Sequence, residues 1–203
     1  LQLHIHTNGD EATEVVLDVI EKMLQAHPRA DHRHTLQHCQ LADEAQLERA
    51  AGLGMCINFF SNHLYYWGDA HATQTVGPEW AARMNPAETA RQLGITFSLH
   101  SDAPITPLNP LFTAWCAAHR ASASGKILGE AERLSVADAL NAVTLGAAKT
   151  LKLEHLIGSI EPGKFADFAV LEEDPSVVAA ERLKDIPVWG TVLAGREFPA
   201  PQQ

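Results

Sequence analysis

The chain has 203 residues, 46% of them hydrophobic and 20% charged, and a formal net charge of -10. This is the composition of a soluble globular chain, and it excludes extended disorder. The acidity argues against non-specific binding to nucleic acid, which needs Lys and Arg to neutralise phosphates, and against an anionic membrane surface.

Along the chain, strand-like and helix-like segments alternate. "LQLHIH" reads as a strand. "EATEVVLDVIEKMLQAH" follows with Val15, Val16, Val19, Ile20 and Met23 at helical spacing and Pro28 as its stop, and Asp10 is the expected N-cap. "HTLQHCQ" is a second strand. "ADEAQLERAAGLG" is a helix with Asp43 as cap and Gly52 or Gly54 at its end. "MCINFF" is a third strand. After a polar, aromatic stretch, "NPAETARQLG" reads as a short helix with Asn85 as cap and Pro86 at its first position. "ITFSLHSDAP" gives a fourth strand. "NPLFTAWCAAHRAS" and "SVADALNAVTLGAAKTL" are helices, the latter capped by Ser135.

Four β-α units in succession imply a parallel sheet with crossover helices, either part of an open doubly wound sheet or half of a (β/α)8 barrel. A whole barrel takes about 250 residues. From Gly158 the pattern changes to turn-rich β segments, "GSIEPGKFADFAVLEEDP" and "VWGTVLAGREF", joined by the short helical "VVAAERLKD". The expected division is therefore residues 1–156 and 157–203. Cys39, Cys56 and Cys116 include no C-x-x-C pair and are expected as small buried hydrophobes in a reducing, cytoplasmic setting. No apolar run is long enough to span a bilayer, and no signal peptide is visible.

Histidine is the unusual count, 11 against 15 Lys plus Arg. In a β/α architecture chemistry gathers at the C-terminal ends of the strands. Here those ends carry His6, then His38, then Asn58, Asn62 and His63, then His100 and Asp102. Imidazole and carboxylate groups on neighbouring strand ends can converge on one cation, and two His plus one Asp suit zinc. Each residue also has a plainer role, as a packed core histidine or a turn cap. His4 shares a strand face with His6.

Taken together, "HTNGD", "LQHCQ", "NHLYYWGD", "HSDAPITPLNPL" and "GSIEPGKFADFAVLEEDP" resemble the C-terminal half of a metal-dependent amidohydrolase, in the branch that includes N-substituted formamide deformylases. The resemblance implies an α/β fold, the fifth strand to the eighth helix of a (β/α)8 TIM-type barrel plus C-terminal strands of a small β-sandwich. It implies one or two divalent metals, usually zinc, held by His6, His38 and Asp102. It makes Asp102 the group that takes a proton from the attacking water, and His63 a substrate or oxyanion contact. His100 is then a support to the metal or a pocket wall, His4 a support or core residue, and Lys164 a surface charge. Substrate preference is expected from Tyr65, Tyr66 and Trp67. "HIH" could instead be a first-strand metal motif, although the order of the motifs favours the fifth strand.

The expected activity is hydrolysis of a C–N bond in a small amide or formamide by a metal-activated water. The alternatives are a deaminase or cyclic amidase of the same superfamily, or a non-catalytic binding or assembly module. Half of a closed barrel would expose two sheet edges. The chain is therefore expected to associate with copies of itself or with the missing N-terminal half.

Overall fold

Short runs rich in β-branched and aromatic residues, each followed by a helical period, build the first sheet. In the computed structural model, which describes residues 1–201, strands β1 (His4–Thr7), β2 (Thr35–His38), β3 (Cys56–Phe59) and β4 (Phe97–Leu99) pair in parallel in that order. Ile5, Leu36, Ile57 and Phe97 lie in register across it. They belong to the core packed by the crossover helices α1 (Asp10–Ala26) and α2 (Glu44–Gly52), whose Leu17, Ile20, Leu47 and Ala50 are buried.

One step along each strand, His6, Gln37, Asn58 and Ser98 form a second in-register row of opposite character. The side chains of Gln37, Asn58 and Ser98, with that of His4, are hydrogen-bonded across the sheet. Gln37 Nε2 lies 2.7 Å from His4 Nδ1, Asn58 Nδ2 donates to Gln37 Oε1 at 2.8 Å, and Ser98 Oγ donates to Asn58 Oδ1 at 2.9 Å. Thr150 Oγ1, at the end of a later helix, is 3.2 Å from Ser98 Oγ. The sheet thus has an apolar face under helices and a polar face bound by its own side chains.

Two caps differ from expectation by one residue. Gly9 is the N-cap of α1, and Asp10 is its first helical residue, where its charge complements the helix dipole. Asp43 caps α2 as expected, in a capping box with Gln46. Val15 and Val19 of α1 are exposed, because the helix turns Thr13, Leu17 and Ile20 inward instead.

Between β3 and β4 the polar, aromatic stretch is helical. α3 (Asn62–Ala70) runs into a π-helical turn (His71–Thr75), then α4 (Pro78–Arg83) and α5 (Ala87–Gln92). Pro86, not Asn85, is the cap of α5, and Asn85 is buried with φ 49. After β4 come α6 (Pro110–His119), capped by Asn109, then α7 (Val136–Ala142) and α8 (Leu145–Thr150). The single helix expected from Ser135 onward is broken at Val143–Thr144. The break lets Gly146 approach β4 so closely that a Cβ there would stand 2.5 Å from the Phe97 carbonyl oxygen.

The remainder forms an antiparallel sheet of β5 (Phe168–Leu171), β6 (Val188–Leu193) and β7 (Arg196–Pro199). A 3-10 segment (Ala180–Asp185) carries Leu183 into the main core beside α6. Residues 202 and 203 of the expected second unit lie outside the described ones. Lys164 is not a free surface charge, since its side chain is 11% exposed and donates to Ser159 Oγ and Glu161. All three cysteines are buried, and burial pushes the Cys39 thiol up to about 12. Among the described residues no helix is long and apolar enough to cross a membrane.

Arg120, with φ 57 at the end of α6, is 1% exposed and donates to four backbone carbonyls, those of Leu128, Asn85, Ala82 and Met84. It clamps the segment between α4 and α5 to the end of α6. Gly129 completes the clamp, because a Cβ there would overlap the Ala82 carbonyl. Arg120→Met strands several buried carbonyls and is expected to lower the unfolding free energy by about 3 kcal/mol, measured by urea denaturation.

Candidate active site

The site is assembled where the four parallel strands end. β1 supplies His6 from its polar face, and strand alternation would place His38 with Leu36 on the helix-covered face. The backbone overrides this. His38 and Cys39 take φ values of 68 and 47, left-handed for non-glycine residues, so the strand ends in a sharp turn. The His38 ring then meets that of His6 edge-on, with centroids 4.5 Å apart.

β4 ends in His100, Ser101 and Asp102. Asp102 has φ 52, its N–H donates to His100 Nδ1 at 3.1 Å, and its carbonyl accepts from Ile105 N–H at 2.7 Å. Asn62, fully buried at the start of α3, donates to Thr106 Oγ1 at 2.8 Å, and Thr106 in turn donates to the Ser101 carbonyl. The turn that carries Asp102 is thereby tied to the helix that carries His63.

Phe60 is the hub of these groups, and sequence reasoning did not single it out. Its ring stacks on His63 at 5.3 Å and on His100 at 5.2 Å, and it meets the edge of His38 at 5.7 Å. The His38 and His100 rings are 4.9 Å apart. His63 also meets Trp67 and His71, each at 4.9 Å. Only the aromatic content of "NFFSNHLYYWGD" hinted at this packing. Tyr65 packs with Phe112 and Trp115 on the core side, so of the three residues expected to set specificity Trp67 stands nearest His63.

The surroundings keep the rings neutral. Burial, with the neighbouring His71 and His38, pushes His63 down to about 4. Burial does the same to His100, also to about 4, with Asp102 partly opposing it. Burial and the His6 ring lower His38, and the Asp102 charge again acts the other way. His38 Nδ1 and His100 Nε2 are buried without a hydrogen-bond partner. His100 Nδ1 accepts the Asp102 N–H, so its neutral ring carries the proton on Nε2, whereas the vacant buried nitrogen of neutral His38, beside a carboxylate, fits a divalent metal by donor chemistry. The set is open in this structure: among the described residues no three His, Cys, Asp or Glu side chains gather closely enough to hold an ion. His6 and His38 come together, and Asp102 stands within electrostatic range of His38.

The family model described as "Amidohydrolase family" matches residues 1–198, and the chain belongs to that family. It is 32% identical over 173 residues to Protein LONG AFTER FAR-RED 3 of Arabidopsis thaliana, covering 84% of this chain and 30% of that protein. It is 28% identical over 195 residues to the N-substituted formamide deformylase of Arthrobacter pascens, covering 96% and 36%. Among solved structures, an uncharacterized metal-dependent hydrolase from Pyrococcus horikoshii OT3 superposes with a TM-score of 0.74 at 26% identity, over 89% of this chain and 35% of that one. The chain spans about a third of the length of the curated relatives it matches.

Because His63 and His100 are held neutral in the folded state, acid favours the unfolded chain, whose histidines take up protons near the ordinary 6.5. Stability is full above that value and falls as pH drops from 6.5 toward 4, by at most about 3 kcal/mol per ring. Chemical denaturation across this window measures it. Phe60→Ala, which admits water to both rings, is expected to flatten the slope.

Proposed function

We propose that the chain is the second half of a metal-dependent hydrolase barrel, residues 1–156, followed by strands of a small β-sandwich, residues 157–203. On this reading the activity is hydrolysis of a C–N bond in a small amide or formamide. The observation that carries it is the meeting of His6 and His38 at neighbouring strand ends, with a buried vacant nitrogen on His38 and Asp102 within electrostatic range.

His6, His38 and Asp102 would hold the metal, for which zinc is the best match to two imidazoles and a carboxylate. When bound, such an ion would lower the pKa of water to about 7 and polarise a carbonyl. The protein's own groups do the rest. Asp102, on a turn pinned by Asn62 and Thr106, accepts the proton of the attacking water. His63, neutral and packed among Phe60, Trp67 and His71, donates a hydrogen bond to the substrate oxygen as negative charge develops there. The aromatic walls limit water around these groups and suit an uncharged amide substituent. The deformylase named above is a relative whose name gives a substrate of this class.

The open ligand set keeps a second reading in play, that of a non-catalytic barrel half which binds or assembles. Pairing with the N-terminal half of a barrel, or with a second copy, would cover the free edges of β1 and β4.

Zinc titration by calorimetry, followed by assay of the zinc-loaded protein against N-formyl and N-acyl amines, tests the proposal. Zinc is expected to bind and raise the melting temperature, and His6→Ala and His38→Ala each to weaken binding at least about tenfold. Asp102→Asn is expected to lower turnover by about a hundredfold or more. Zinc binding without turnover of any amide would favour the binding module. No zinc binding, with no change in melting temperature, would overturn the metal assignment.

A further inference from the structure

His63 is held by shape rather than by hydrogen bonds. Phe60 lies parallel to its ring, 13° between planes, and Trp67 and His71 meet it at 61° and 72°. Among the described residues no group hydrogen-bonds to its ring nitrogens. The placement of those nitrogens therefore depends on how firmly the surrounding rings are fixed.

His71 is fixed at both nitrogens. Its Nδ1 is 2.8 Å from Thr75 Oγ1 and its Nε2 is 3.3 Å from Gln40 Nε2. The second contact settles the tautomer, because an amide nitrogen only donates. The same Gln40 nitrogen is 3.1 Å from Met84 Sδ, an acceptor, so its two hydrogens have two separate destinations. His71 Nε2 is the acceptor, and Nδ1–H donates to Thr75. The backbone makes this possible. His71 opens the π-helical turn at the end of α3, where its carbonyl accepts from Val76 N–H at 3.1 Å, and the wider turn brings Thr75 under the ring. Gln40 is 3% exposed and follows His38 by two residues, on the turn that ends β2.

We infer that Gln40, His71 and Thr75 form a positioning set for His63, which locks its ring plane while leaving both its nitrogens free for substrate. The inference rests on the reading of His63 as a substrate contact. It adds a coupling: the turn that presents His38 also supplies the donor that orients the wall of His63. A shift of the β2 end would be felt at the third strand end through Gln40 and His71. On this reading the three residues are positioning residues that act through His63.

Long-range 1H–15N spectra of the labelled protein test this directly. In the wild type His71 is expected as the Nδ1–H tautomer, with an unprotonated Nε2. Gln40→Leu and Thr75→Val should each turn this into a mixture of tautomers and shift the ring resonances of His63. His71→Ala should broaden or average those resonances, and His71→Phe, which keeps the wall, should largely restore them. In the amide assay His71→Ala is expected to lower kcat by about tenfold to a hundredfold, with partial recovery in His71→Phe. Thr75 is exposed, so its variant reports even if the His71 variants fold poorly. An Nε2–H tautomer of His71 in the wild type, or a His63 spectrum unchanged by Thr75→Val and His71→Ala, would overturn the inference alone. Full turnover in His63→Ala would instead remove the reading of His63 on which it rests.

Discussion

In a parallel sheet of four strands, residues that pair in register point to the same side, so whatever occupies one position is repeated as a row across the fold. One row here is Ile5, Leu36, Ile57 and Phe97, packed under helices. The neighbouring row is His6, Gln37, Asn58 and Ser98, of which all but the exposed His6 cannot be left dry and unpaired. The structure answers with side-chain hydrogen bonds that run from His4 to Thr150 across every strand. That row fixes the polar face of the sheet, and the groups at the strand ends stand directly beyond it. The site thus rests on a floor whose partners are already satisfied, and its own unpartnered nitrogens, on His38 and His100, stand apart.

Ring packing is the second constraint. Phe60 brings His38, His63 and His100 together by stacking and edge contact, and the packing that orders them also strips their water. One arrangement therefore sets both geometry and protonation. Neutral imidazole is the form that can ligate a metal or donate to an oxygen, so burial prepares these rings for either task.

The strands, α1, α2 and α6 were legible because each carries a plain period and, in α2 and α6, a side-chain cap at Asp43 or Asn109. The helices between 62 and 83 were not. Their aromatic, polar and glycine residues show no single period, and a π-helical turn interrupts them. At the break at Thr144 the one signal is Gly146, which reads as tolerated within a helix until its close packing on β4 is seen. Among the candidate site residues, the placing of His6 and His38 near strand ends, and of His63 and Asp102 just after them, was readable from alternation of β and α segments. The facing of His38 was not, since it depends on left-handed backbone at a histidine and a cysteine. Nor was Phe60, whose role arises only when three strand ends are side by side.

Arg120 holds its four carbonyls with no carboxylate in salt-bridge contact among the described residues, and although burial lowers its pKa to about 10, against the Glu132 charge, it stays charged under ordinary conditions. Dipoles of peptide carbonyls do not titrate, and a buried contact is little screened by salt. This clamp is therefore indifferent to acid over a range in which the histidines beside it are not. Mild acidification should therefore act through the buried histidines at the strand ends and leave the contacts of the Arg120 clamp in place.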